Sequence, residues 1–372
     1  MAHLTTLGQL ITPAPVVKCG EGSYPVLSMT MRDGIVLQSD RFKKSLASTD
    51  QSNYKVVKLG QLVVGFPIDE GVLYVQKVID EGIMSPAYNV WNINTNLVNA
   101  DYLELALHSP YAMDYYKSKL RGTTARRRTL PTRELLALPL PLPDFETQAK
   151  IVANIRKATE LISLRKEQLA KLDQLVKSRF VELFGEGRDG KTPVKMLGSI
   201  CKFQQGTQIP VDEQFEEQKT GYKRFLRIID YTQAPQPPRY VNVNGKEVDE
   251  KSVVIVRYGA TAGFVGRGYQ GILANNLFEV MPDETILSKD FLFLALKYGT
   301  FEKEVHEKAF GAAMPALSFT MMNDISVVVP VAEEQKKFVS FVEQTDKSKL
   351  AIQASLDKLE TLKKSLMQEY FG

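Results

Sequence analysis

The sequence predicts an α+β protein with a pseudo-twofold internal repeat: two mixed α/β heads, separated by two long helices that form an antiparallel coiled coil. Three observations predict it. A stretch beginning at Pro143 recurs without a gap at Pro330, an offset of 187 residues. Each copy is free of proline and glycine from about residue 147 to 184 and from about 333 to 371. The residues ahead of each copy are short apolar runs punctuated by glycine and proline, the signature of short strands and turns.

The repeat can be followed residue by residue. Gln148 matches Gln335, Val152 matches Val339, and Leu169, Leu172 and Leu175 match Leu356, Leu359 and Leu362. Lys177-Ser178 matches Lys364-Ser365, and both copies close on Phe-Gly, at Phe184-Gly185 and Phe371-Gly372. The heads repeat more weakly. TTLGQL near the start resembles KMLGSI at 195–200, and ADYLELAL (100–107) resembles KDFLFLAL (289–296). Thr129-Leu130-Pro131 stands where Ala313-Met314-Pro315 stands. The implied division is a first head over 1–143, a spacer helix over 144–186, a second head over 187–330 and a second spacer helix over 331–372.

Heptad spacing defines the helix seam. In the first helix it runs through Ile155, Ile162, Leu169, Val176 and Leu183, with Leu172 beside it; in the second it runs through Ile352, Leu359 and Leu366, with Leu356 and Tyr370 adjacent. Pro143 and Pro330 precede the helices, where proline is tolerated, and Gly185 is a helix stop. A helix of ~38 residues spans ~57 Å and cannot bury its seam alone. Its own copy is the simplest partner, paired antiparallel with the heads at opposite ends.

Within the second head, the apolar run Val253 to Val256 leads into a glycine-rich turn, Gly259 to Gly263, and then more strand. The corresponding part of the first head is 54–93. VKMLGSICKF (194–203) reads as a strand, and Trp91, the single tryptophan, as core.

Composition excludes several classes. Charged residues are 24% and hydrophobic residues 44% of 372, as in an ordinary globular chain. No apolar run approaches the ~18 residues of a membrane span, and MAHLTTLGQL does not read as a secretory leader. Cys19 and Cys201 are far apart and form no disulfide framework, so a reducing cytoplasm is the expected setting. His3, His108 and His306 are scattered, so no metal site is read. GEGRDGKT (185–192) matches the phosphate-binding loop pattern, but a helix precedes it and Pro193 follows Thr192, so an NTPase reading is set aside. No catalytic residues are assigned.

The net charge of +4 is mild, and local charge says more. KSKLRGTTARRR (117–128) holds Lys117, Lys119, Arg121, Arg126, Arg127 and Arg128 without an acid, with Thr123 and Thr124 between them. Such a run is a candidate phosphate contact, and a solvated loop is the bland alternative. In the second head the candidates are dispersed: Lys223, Arg224, Arg227, Arg257, Tyr258, Thr261, Arg267, Asn275 and Asn276. Each of these, taken singly, reads more readily as surface decoration.

With these motifs in order, the chain resembles the specificity (S) subunit of type I DNA restriction-modification systems over essentially its whole length. The resemblance rests on LALPLPLPDFETQAKIV (136–152) and ISVVVPVAEEQKKFV (325–339), and on the helix ends LVKSRFVELFG and LKKSLMQEYFG. KSVVIVRYGATAGFVG and GIMSPAYNVW (82–91) fit the recognition domains of that family. The chain is compact for the family. The resemblance implies a non-catalytic subunit whose heads each read half of a bipartite site in double-stranded DNA. The helices would set the gap and dock two modification subunits, with room for two restriction subunits. It also implies no cofactor on this chain, because S-adenosylmethionine, ATP and Mg belong to those partners, and no membrane partner. A coiled-coil scaffold whose heads bind proteins is the alternative.

Overall fold

The computed structural model describes residues 3–31, 33–41, 50–120, 130–185, 192–233, 236–309 and 315–372. It divides into two compact units, Met1–Lys166 with Ala354–Gly372, and Glu167–Gln353. Both long helices are single elements, Phe145–Phe184 and Ala332–Phe371. Each contributes one part to each unit.

In the first unit, a four-stranded antiparallel sheet runs in the order Ile11–Pro13, Asn89–Ile93, Leu62–Val64, Leu73–Val75. Its core is closed by the helices Ala100–Leu107 and Pro110–Lys119. Both helices begin where a side chain replaces the missing backbone acceptor: Asn99 accepts from the Asp101 and Tyr102 amides, and Ser109 accepts from Ala112. Trp91 is buried in this core, as its apolar strand context predicts. In the second unit, the sheet order is Cys201–Gln205, Leu277–Pro282, Val253–Val256, Val265–Gly266, again antiparallel. The helix Lys289–Tyr298, capped by Ser288, covers it. A second sheet, Arg239–Val241, Lys223–Leu226, Gly271–Leu273, Glu247–Val248, contains a parallel pair; in the first unit the described residues form two further two-stranded sheets, Leu27–Thr30 with Gly34–Leu37 and Lys55–Lys58 with Glu81–Met84.

VKMLGSICKF is not one strand. Val194–Met196 pairs with Ser326–Val328, a single helical turn follows at Leu197–Ile200, and a new strand begins at Cys201. The first head is built alike: His3–Thr6 pairs with Pro139–Leu142, and Leu7–Leu10 forms the turn. In each unit, the leucine that opens this turn is fully buried and donates its amide across the ribbon, Leu7 to Leu138 and Leu197 to Ile325, at 2.9 and 2.8 Å. Burial of that one leucine overrides the period-two pattern of the strands.

The repeated glutamines have one job in both units. Gln148 is fully buried; its Oε1 accepts from the Asn99 amide at 2.8 Å, and its Nε2 donates to Pro143 O at 2.8 Å. Gln335 accepts from the Ser288 amide at 3.0 Å and donates to Ile286 O and Pro330 O, both at 2.9 Å. Asn99 and Ser288 are the caps of the helices described above. Each glutamine therefore ties the start of a long helix to the first turn of a head helix and satisfies backbone groups that burial would otherwise leave unpaired.

The long helices pack antiparallel within each unit. In the first, Asn154 Nδ2 donates to Tyr370 Oη at 3.1 Å and Lys166 pairs with Glu360 at 2.9 Å. In the second, Lys349 pairs with Asp173 at 2.6 Å, and the rings of Phe180 and Phe184 each lie 5.5 Å from Phe338. Residue numbers rise along one helix as they fall along the other. Ile155, Val176 and Leu356 are buried; Ile162, Leu169, Leu172, Ile352, Leu359 and Leu366 are half-buried. Leu183 departs from the expected seam and is 40% exposed, whereas Phe180 and Phe184 are buried. An α-helix drifts ~20° per heptad against a strict seven-residue repeat. By the last turn, the buried side has passed to the i, i+4 pair Phe180 and Phe184. Phe184 also stacks edge-on against Phe291 at 5.2 Å, and Phe371 lies 5.4 Å from Tyr102, so the closing Phe of each helix enters a head core.

Candidate nucleic-acid interface

The Val253–Val256 strand is buried along its length and delivers Arg257 to the end of the sheet. The Arg257 amide donates to Asn276 O at 2.9 Å, its Nε donates to Leu317 O at 3.2 Å, and the Leu317 amide returns a bond to Arg257 O at 2.9 Å. Its guanidinium lies 4.8 Å from the Tyr258 ring centroid, a cation–π stack. Tyr258 is 37% exposed, and Thr261 projects from the turn beyond it. The turn closes through Gly263, whose amide donates to Val256 O at 2.9 Å. Gly263 has φ 89°, and a Cβ there would stand 2.6 Å from Val305 Cγ1, so both conformation and space require glycine. A cavity of about 450 Å³ lies beside this turn, with Thr261, Phe264, Lys297, Phe301 and Glu302 in its wall. Burial holds the Lys297 amine below the usual lysine range.

The neighbouring turn is rich in amides. Gln205 Nε2 donates to Asn275 O at 2.8 Å, and Asn275 Nδ2 donates to Gln208 Oε1 at 3.2 Å, with Gln208 exposed. Asn276 Oδ1 is buried and has no hydrogen-bond partner among the described residues. Arg257, Tyr258, Thr261, Asn275 and Asn276 are thus brought to one end of one sheet. Guanidinium, amide and ring edges are the groups that read bases in the major groove.

The other predicted residues of the second head are held differently. Arg224 and Arg227 both bind Asp230, at 3.3 and 3.0 Å, and the Asp230 side chain is fully buried. Arg224 also lies 4.4 Å from the Tyr269 ring, and Arg227 donates to Pro237 O at 3.0 Å. One carboxylate between two guanidiniums leaves one net positive charge. Burial, the largest influence, pushes the neighbouring Tyr231 phenol up. Arg267 pairs with Asp290 at 2.9 Å and stacks on Phe293 at 4.2 Å, so it is an internal brace between strand and helix. Lys77 binds Asp101 at 2.6 Å in the same role in the first unit. Lys223 pairs with Glu247.

In the first head, Lys117 is exposed near Asp114, at 3.6 Å, and Lys119 lies 5.8 Å from the Tyr115 ring. Arg121, Thr123, Thr124, Arg126, Arg127 and Arg128 lie outside the described residues, as do Gly190 and Lys191. The described flanks of that loop pattern are a helix ending at Phe184 and a strand starting at Val194, the reverse of a phosphate-binding loop. Sequence reading missed the first head's own sheet end. There Phe66 is 49% exposed, its ring lies 6.3 Å from Tyr88, and Lys55 Nζ donates to Tyr88 O at 2.5 Å. The available signal was the aromatic just past Leu62–Val64, in the place that Tyr258 takes past Val253–Val256. Among the described residues, no group of His, Cys, Asp and Glu can hold a metal ion, and no helix is long and apolar enough to cross a membrane.

Residues 191–363 match the Type I restriction modification DNA specificity domain. The type I restriction enzyme MjaVIII specificity subunit of Methanocaldococcus jannaschii is 24% identical over 196 residues, 52% of this chain; the match spans 44% of that relative's length. Among solved structures, a chain from a study of complex assembly and conformational transition of the type I R-M system aligns with TM-score 0.64 at 17% identity, covering 99% of this chain and 97% of that one. The type I restriction-modification S subunit from M. genitalium aligns with TM-score 0.54 at 16% identity, covering 100% and 96%. Residues 191–363 thus match the type I restriction modification DNA specificity domain, and the chain as a whole shares the fold of these two solved structures.

Proposed function

We propose that this chain is the DNA-reading, non-catalytic subunit of a type I restriction-modification complex. Each head reads one half of a bipartite, asymmetric site, and the paired helices set the gap and dock two modification subunits. Those partners, and not this chain, bind S-adenosylmethionine; restriction subunits, where present, bind ATP and Mg. The proposed division of labour follows the two heads, 1–143 and 187–330, and the two helices, 144–186 and 331–372.

The observation that carries the reading is the pairing of the two sheet-end stations with one repeated anchor. Each head is bonded through Gln148 or Gln335 to the start of one long helix, and its core takes in the closing Phe of the other. A head gripped by both helices has a fixed orientation, which reading a half-site in register requires. The mild charge of the chain fits a complex in which partners neutralise much of the phosphate. The test is co-expression with a type I modification subunit, followed by single-molecule methylome sequencing. A two-part motif with a fixed gap is the expected result. Absence of any motif, with the complex assembled, would refute the proposal.

A further inference from the structure

The two heads share an exposed ring that no repeat of residue identity discloses. Phe66 lies two residues beyond the inner strand Leu62–Val64, and Tyr258 two residues beyond Val253–Val256. They are 49% and 37% exposed, although aromatic rings of this size are ordinarily drawn into cores or contacts. Each ring is held from behind. Tyr88 braces Phe66 at 6.3 Å, and the Arg257 guanidinium stacks on Tyr258 at 4.8 Å. Groups that can hydrogen-bond base edges stand on the strands and turns next to each ring. Exposed Asn89 pairs with Val64 at the strand end, and Lys55 is bonded to Tyr88 O. The bond from the Arg257 amide to Asn276 O joins the Tyr258 strand to the turn that carries Asn275, whose Nδ2 donates to the exposed Gln208.

We propose that Phe66 and Tyr258 are the apolar base contacts of their heads, each placed against the major-groove edge of its own half-site, where the thymine methyl is the apolar group on offer. A base pair offers a mixed edge, and the strands and turns next to each ring also bring an amide and a cation to that end of the sheet, Asn89 and Lys55 in the first head and Asn275 and Arg257 in the second. The inference rests on the DNA-reading function proposed above.

The experiment uses the full chain assembled with its modification subunits and compares Phe66→Ala, Tyr258→Ala, Phe66→Tyr and Tyr258→Phe by methylome sequencing and size-exclusion chromatography. Loss of one base contact weakens discrimination by roughly 5- to 150-fold at one position. Phe66→Ala is expected to relax one half-site, Tyr258→Ala the other, and the ring-retaining variants neither. Unchanged motifs in both alanine variants overturn the inference while leaving the DNA-reading function intact. Equal relaxation of both halves, or loss of the modification subunits from the complex, also overturns it. A wild-type complex without a two-part motif refutes the underlying function instead.

Discussion

Replacing Gln148 by methionine tests the anchor between head and helix with little change of side-chain volume. The substitution leaves the Asn99 amide and Pro143 O without the partners they now have at 2.8 Å. The longer contact to Leu97 O, 3.5 Å, is too weak to count. A buried group stripped of its partner costs about 1–3 kcal/mol, so two cost about 2–6 kcal/mol, centred near ~4. For a unit of this size that is a fall of roughly 8–16 °C in the unfolding midpoint. Trp91 is the single tryptophan and is buried in the same unit, so its fluorescence follows the affected core. Gln174→Met, at an exposed position of the first long helix, is the control and should stay within ~0.5 kcal/mol of wild type. A Gln148→Met midpoint equal to that of the control would show that the repeated glutamine anchors nothing.

Three further outcomes follow from the packing. A Cβ at Gly198 would meet Asn323 Oδ1 at 2.5 Å and Asn323 Cβ at 2.7 Å, so Gly198→Ala should cost about 1–3 kcal/mol by thermal denaturation. Adding Asn323→Gly should recover most of it, and Gly8→Ala, 3.2 Å from Leu136 O, should cost less. Asp230→Ala leaves Arg224 and Arg227 facing each other and should destabilise the second unit by about 3–5 kcal/mol, read by circular dichroism; no shift would show the cluster to be ornamental. The Asp101 carboxyl is raised by burial, but Lys77 and Arg156 more than offset this and hold it below the usual range. A lowered folded value adds stability above the unfolded pKa of about 3.9, lost as pH falls through the folded value. The stability gap between wild type and Asp101→Asn, followed by Trp91 fluorescence, should therefore close as pH falls below about 4, and a gap constant with pH would contradict the pairing.

Much of the architecture was legible because it is written twice. Gln148 and Gln335 stood out only as matched letters, yet the match pointed to a shared structural bond. The heptad seam marked the right helices but placed Leu183 inside, because a fixed seven-residue step accumulates error against 3.6 residues per turn. The short turn Leu197–Ile200 was hidden because one buried leucine decides it, and four residues carry too little periodicity to see. The site was less legible. Arg267 reads as a free cation until Asp290, 23 residues on, is seen beside it, and Arg224 and Arg227 converge on one buried carboxylate. Phe66 escaped notice because an exposed ring differs from a core ring only in three dimensions.

The most direct test of the proposed pair of readers is exchange of residues 1–143 for the first head of a type I specificity subunit, with modification subunits present and methylomes sequenced before and after. A new first half-site, beside an unchanged second half and an unchanged gap, is the predicted result. A change in both halves, or in the gap alone, would contradict it.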